Sequence, residues 1–144
     1  MACGLGLFSP VSQAGEYNFV VQPILPPEQT KKAFTPLTEY LSRQTGHKIK
    51  LITSINFLSY WETMKKNTQY DLILDAAHLT DYRIKRMGYS VLAKRADAVS
   101  YTLVTGENAD VLDPEELIGK SIASIGSPSL GMLRMEEMFP NPLR

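Results

Sequence analysis

YDLILDAA, residues 70–77, carries an unbroken apolar run, Leu72-Ile73-Leu74, set between two aspartates and closed by two alanines. A short continuous apolar run reads as a strand covered on both faces. Such strands belong to parallel sheets, whose connections are helices. The flanks agree. Downstream, a helical pattern covers about Leu79 to Met87 and stops at Gly88. Upstream, SINFLSYWETM (54–64) opens with Ser54 or Asn56 as a cap and places Phe57, Leu58, Trp61 and Met64 on one helical face.

The same alternation extends to both ends. Toward the N-terminus, KIKLITS (48–54) alternates apolar and polar residues like a strand. Gly46 stops a helix of about Glu28 to Gln44, on which Ala33, Phe34, Leu37, Tyr40 and Leu41 recur at helical spacing and Pro36 is expected to make a kink. Before it come the proline-bearing loop PILPPEQ and a buried strand, YNFVVQ (17–22). Toward the C-terminus, YSVLAKR (89–95), SYTLVTG (100–106) and SIASIG (121–126) read as strands. Asp113-Pro114-Glu115-Glu116 is a helix start with cap, proline and first-turn acids, and Gly119 ends that short helix. A last helix runs from Leu130 to Met138. Strands alternating with helices predict an α/β fold with right-handed crossovers and a mostly parallel sheet.

The chain of 144 residues is 44% apolar, enough for a sizeable core. Lys+Arg and Asp+Glu both number 15, so there is no basic excess of the kind a nucleic-acid surface shows. Cys3 is the single cysteine, which excludes an internal disulfide and a cysteine zinc site. His47 and His78 lack metalloprotease spacing, and no metal or cofactor site is expected. No apolar run approaches the roughly 18 residues of a membrane span. Residues 1–14 favour a leader remnant: Ala2–Phe8 is apolar, and Ser12-Gln13-Ala14 has the small residues a signal peptidase reads, although a basic n-region is missing. A plain tail and a lipoprotein anchor at Cys3 are the other readings.

Chemistry concentrates at the presumed carboxyl ends of the strands, where open α/β sheets bind ligands. Gly126-Ser127-Pro128-Ser129 leads from a strand into a helix N-terminus, whose unpaired N–H groups and dipole suit an anion; Ser129 is equally a plain N-cap. Asn56 offers an amide and Phe57 an apolar wall, with cap and core as their structural readings. His78 follows a strand and suits an oxyanion donor, or else a satisfied structural histidine. Lys65-Lys66 and Arg83-Lys85-Arg86 read as solvated helix faces. GxxxxGK[ST], GxGxxG and GxSxG are all missing, which disfavours nucleotide sites and serine-hydrolase chemistry.

Several stretches together resemble the periplasmic phosphate-, phosphite- and phosphonate-binding subunits of ABC transporters, a type II solute-binding protein family. Phe34, Pro36, Leu37, Tyr40, Leu41, Thr45 and Gly46 match a family helix; YDLILDAAHLTDYR and SYTLVTGENADVLDPEELIGKSIASIGSPSLG are similar to two further segments. The resemblance implies a periplasmic-binding-protein-like fold. Its first α/β lobe would cover residues 15–100, and a hinge crossing with an incomplete second lobe residues 101–144. It further implies a small oxyanion clamped between lobes, with the hinge near Tyr101. Ser127, Ser129, Leu130, Gly131, His78, Asn56 and Phe57 would line the site, and an ABC permease would be the partner. The location would be periplasmic or secreted, and the role binding rather than catalysis. A ligand-sensing domain of the same fold is the alternative. The chain departs from the family pattern at Ala76-Ala77, where Gly-Pro is common, and at Ser-Pro-Ser-Leu-Gly, where Pro128 removes an N–H and Leu130 adds bulk.

Overall fold

The computed structural model describes residues 14–66 and 70–139. The leader reading, Cys3 included, lies outside the described residues. The chain groups into two compact units that divide between Leu74 and Asp75.

The first unit is an α/β layer. Strand β1 (Glu16–Val21) leads through helix α1 (Pro27–Thr45) to β2 (Lys48–Ile52), and helix α2 (Phe57–Lys66) leads to β3 (Leu72–Leu74). Both pairings are parallel and the strand order is β2-β1-β3. The chain therefore steps to one side of β1 and returns to the other, which makes a topological switch point at the carboxyl ends of the strands. Phe19 to Val21 pair with Leu72 to Leu74, and Glu16 to Val20 with Lys48 to Ile52.

Position in the sheet decides burial. The central strand β1 holds Phe19, Val20 and Val21, all buried, with Val20 fully enclosed. Each such side chain contributes roughly 1.5–3 kcal/mol by leaving water. The run at residues 70–77, expected to be a strand covered on both faces, forms three paired residues at the sheet's edge, and Leu74 is exposed.

Local stop and start signals act where the sequence places them. Gly46 takes a left-handed conformation, φ 70°, and its N–H donates to the Ser42 carbonyl. Only a residue without Cβ adopts that geometry cheaply. The Asn56 carboxamide oxygen accepts from Ser59 N–H at 2.8 Å and caps α2. The buried face of α1 differs from the sequence reading. Thr30 and Thr38 are buried, while Leu37 and Tyr40 are exposed. Both threonine hydroxyls donate locally, to Leu25 and Thr35 carbonyls at 3.0 and 2.9 Å, so their burial leaves no donor unsatisfied. Pro36 lies inside α1, which continues through it.

At the start of β1, Lys48 Nζ lies 2.6 Å from a Glu16 carboxylate oxygen. The hydrogen bond and charge of Lys48 hold the Glu16 carboxyl below its ordinary value. The depressed carboxyl binds its proton less readily folded than unfolded, so the pair's contribution is present at neutral pH and fades as pH falls through the folded value. By carboxyl NMR, Glu16 is expected to titrate below an unpaired glutamate, and Lys48→Met to return it toward the ordinary range. Identical titrations in the two proteins would refute the coupling.

The second unit contains helix α3 (Ala77–Met87), a 3-10 turn (Pro114–Leu117) and helix α4 (Leu130–Met138). Asp113 caps the 3-10 turn by accepting from Glu115 N–H, and Gly88 closes α3 with φ 74°. The strands expected at 89–95, 100–106 and 121–126 do not form among the described residues. Their apolar residues are largely exposed, as at Leu92, Val104 and Ile125. A strand requires a ladder partner as well as a suitable sequence. These segments have the pattern without the partner among the described residues of this unit.

Candidate functional site

The turn from Gly126 to Gly131 joins an irregular segment to α4, and its Ser127–Pro128 peptide is cis. Ser129 is the N-cap. Its hydroxyl accepts from Met132 N–H at 3.2 Å and donates to the Ile125 carbonyl. Its own N–H donates to the Gly126 carbonyl at 3.1 Å. Ser129 is therefore engaged through both polar groups in holding the turn, and it is buried while Ser127 is exposed.

Helix geometry then assigns the remaining donors. Leu130 and Gly131 are the first two residues of α4, and N–H groups at those positions have no carbonyl to reach within the helix. The helix dipole adds positive potential at the same place. Pro128 has no N–H. The Leu130 and Gly131 N–H groups are donors of the kind an oxyanion accepts, and Ser127, exposed on the same turn, carries an O–H. A Cβ built on Gly131 would lie 3.6 Å from a Tyr101 ring carbon, an ordinary contact. Tyr101, the expected hinge, thus stands beside Gly131 within the second unit.

His78 belongs to this unit too. Its Nε2 lies 2.9 Å from the Pro128 carbonyl, and its Nδ1 is buried without a hydrogen-bond partner. The structure thus brings His78 together with the serine turn. Asn56 and Phe57 lie in the first unit. Asn56 caps α2 and is exposed; Phe57 is half-buried, its ring 6.4 Å from that of Tyr60.

One interaction had no sequence signal. Arg83, read as part of a solvated face, is buried, and its Nε donates to Asp75 Oδ2 at 2.6 Å. Its guanidinium also sits 5.6 Å from the Tyr89 ring centroid. Lys85 and Arg86 of that face are exposed, as read. The acid precedes α3 and the base lies two turns along it, a spacing outside the i+3 and i+4 pairs that sequence reading recognises.

A cavity of about 830 Å³ lies elsewhere in the second unit, lined by Thr102, Leu103, Val111, Leu117, Lys120 and Ile122 among others, and by none of the turn residues. Among the described residues, no cluster of His, Cys, Asp and Glu is arranged to hold a metal, and no helix is long and apolar enough to cross a membrane.

Comparison with known families adds one finding. The family model described as "ABC transporter, phosphonate, periplasmic substrate-binding protein" matches residues 19–138, well over half of the chain. That span runs from the second half of β1 through the turn before α4. Neither the curated proteins nor the solved structures yield a match.

Proposed function

Since the chain belongs to the family of periplasmic substrate-binding proteins of phosphonate ABC transporters, a class of binding proteins and not of enzymes, we propose that its serine turn binds a small phosphate- or phosphonate-like oxyanion for delivery to an ABC permease. The observation that carries this reading is the family match running through the turn, joined to the donor set there. In this reading Ser127 O–H and the Leu130 and Gly131 N–H groups donate to the anion. Ser129 keeps the turn in shape, and Pro128 narrows the donor set. Asn56, through its NH₂, and Phe57 are further candidate ligand residues. The lobe boundary near residue 100 and the hinge at Tyr101 belong to the same reading. So do the periplasmic location and a leader in residues 1–14.

No chemistry is required of these residues. Binding replaces the anion's water by fixed N–H and O–H donors, and a hydrogen bond to a charged group is worth about 1.5–3 kcal/mol.

A thermal-shift and calorimetric screen of the chain against phosphate, phosphite, methylphosphonate, sulfate and uncharged or cationic solutes tests the proposal. A ligand of the folded state raises the melting temperature. At least one oxyanion is expected to do so, and Ser127→Ala to weaken its binding about 10- to 100-fold. A response confined to uncharged or cationic solutes, or full affinity in Ser127→Ala, would overturn it.

A further inference from the structure

We propose that His78 is the positioning residue of the serine turn: it fixes the turn from helix α3 through the Pro128 carbonyl and does not itself touch the ligand.

The ring's two nitrogens carry the argument. A carbonyl oxygen accepts and never donates, so the 2.9 Å contact with Pro128 O requires the proton on Nε2. The neutral ring is then the Nε2–H tautomer, with Nδ1 left as an acceptor. Nδ1 is shielded from solvent and has no hydrogen-bond partner. One nitrogen is engaged with the turn and the other is out of a ligand's reach. The sequence admits His78 as an oxyanion donor or a structural histidine; the positioning role is of the second kind, one step removed from the ligand.

The turn needs such a tie. Its other hydrogen bonds are local: Ser129 N–H to Gly126 O, Ser129 O–H to Ile125 O, and Met132 N–H to Ser129 Oγ. Local bonds shape a turn without fixing it to the rest of the fold. The His78 bond spans 50 residues and, among the described residues, is the long-range hydrogen bond to this turn. It also lands on the one backbone group Pro128 has to offer, since proline lacks an N–H. His78 is the second residue of α3, whose N-cap, Ala76, provides no side-chain cap of its own. The ring therefore reaches the turn from the first turn of a helix, a rigid support.

The importance of this tie for ligand binding rests on the proposed function; the tie itself does not. The test uses the full chain without ligand. Amide hydrogen exchange at Met132 and Leu133, which donate to Ser129 Oγ and O, reports the turn; amides within Thr80–Met87 serve as the folding control. His78→Phe keeps a ring and loses the donor, while His78→Gln restores a donor near Nε2. His78→Phe is expected to speed exchange at Met132 and Leu133 about fivefold relative to the control, and His78→Gln to recover most of the protection. Imidazole ¹⁵N spectra of the unmodified protein are expected to show the Nε2–H tautomer. Phosphate and methylphosphonate affinities are then measured on all three proteins. Unchanged exchange in His78→Phe, or an Nδ1–H tautomer, would overturn the positioning role. Weaker oxyanion binding in His78→Phe with unchanged exchange would make His78 a ligand contact, which also overturns it. Faster exchange with rescue by glutamine, in a protein that binds no oxyanion, supports the positioning role while the proposed function falls.

Discussion

Asp75→Ala is expected to lower unfolding stability by about 3–5 kcal/mol, the range for removing one partner of a buried ion pair. The Asp75 and Arg83 side chains are 1% and 3% exposed, and Nε and Oδ2 lie 2.6 Å apart. Taking both charges out of water is costly, and mutual attraction offsets that cost only while both are present. Alanine at 75 would leave a buried guanidinium facing a cavity where its carboxylate stood. The Tyr89 ring near Arg83 offers a cation–π contact, worth about 0.5–2 kcal/mol, which does not replace a carboxylate. The pair as a whole need not stabilise the fold against an apolar alternative. The double variant Asp75→Leu with Arg83→Met is accordingly expected to lie much closer to the parent than Asp75→Ala does. Urea unfolding, with the double-mutant cycle completed by Asp75→Leu alone and Arg83→Met alone, checks this. A loss below about 1 kcal/mol in Asp75→Ala would show that Arg83 reaches water when its partner is removed, and that α3 is held by other contacts.

That pair also shows where sequence reading stops. Residues 83 and 84 are Arg and Ile, and hydrophobicity alone turns the isoleucine inward. The structure does the reverse: Arg83 is buried and Ile84 exposed. An aspartate eight residues back, just before the helix, provides the reason. Signals confined to a few residues were legible. Gly46 and Gly88 stop their helices in left-handed conformations, Asn56 and Ser129 cap theirs, and Asp113-Pro114 opens the 3-10 turn. Each depends on a neighbour within about four positions. The parallel first unit was legible because helix and strand periods alternate in it. The strand readings after residue 88 failed on the opposite ground, since a ladder depends on a partner that a local pattern does not specify. The candidate site divides along the same line. The serine turn and its helix are visible in the sequence. That the Ser129 hydroxyl donates to the Ile125 carbonyl and that His78 bonds the Pro128 carbonyl depend on geometry, the second across 50 residues.

Met64→Ala is expected to cost about 2–5 kcal/mol, while Leu58→Ala in the same helix stays within about 0.5 kcal/mol. Helical spacing placed Phe57, Leu58, Trp61 and Met64 on one face of α2. The packed face is rotated slightly: Tyr60 and Met64 are fully enclosed, Phe57 and Trp61 are half-buried, and Leu58 is 64% exposed. Positions 57, 60, 61 and 64 keep the three-and-four spacing of a helix as well as the expected set does. The difference is that Tyr60, with a polar tip, goes inside, and an aliphatic leucine goes out. Removing Met64 loses its transfer energy and leaves a hole that close-packed neighbours fill only in part. Removing Leu58 deletes a side chain already mostly in water. Urea unfolding of the two variants measured side by side decides the face. A small loss at Met64 with a large one at Leu58 would restore the face read from spacing and turn α2 about its axis. Asn56 and Phe57, at the start of that helix, would turn with it, so the pair of stability measurements also tests where the first unit presents its proposed ligand residues.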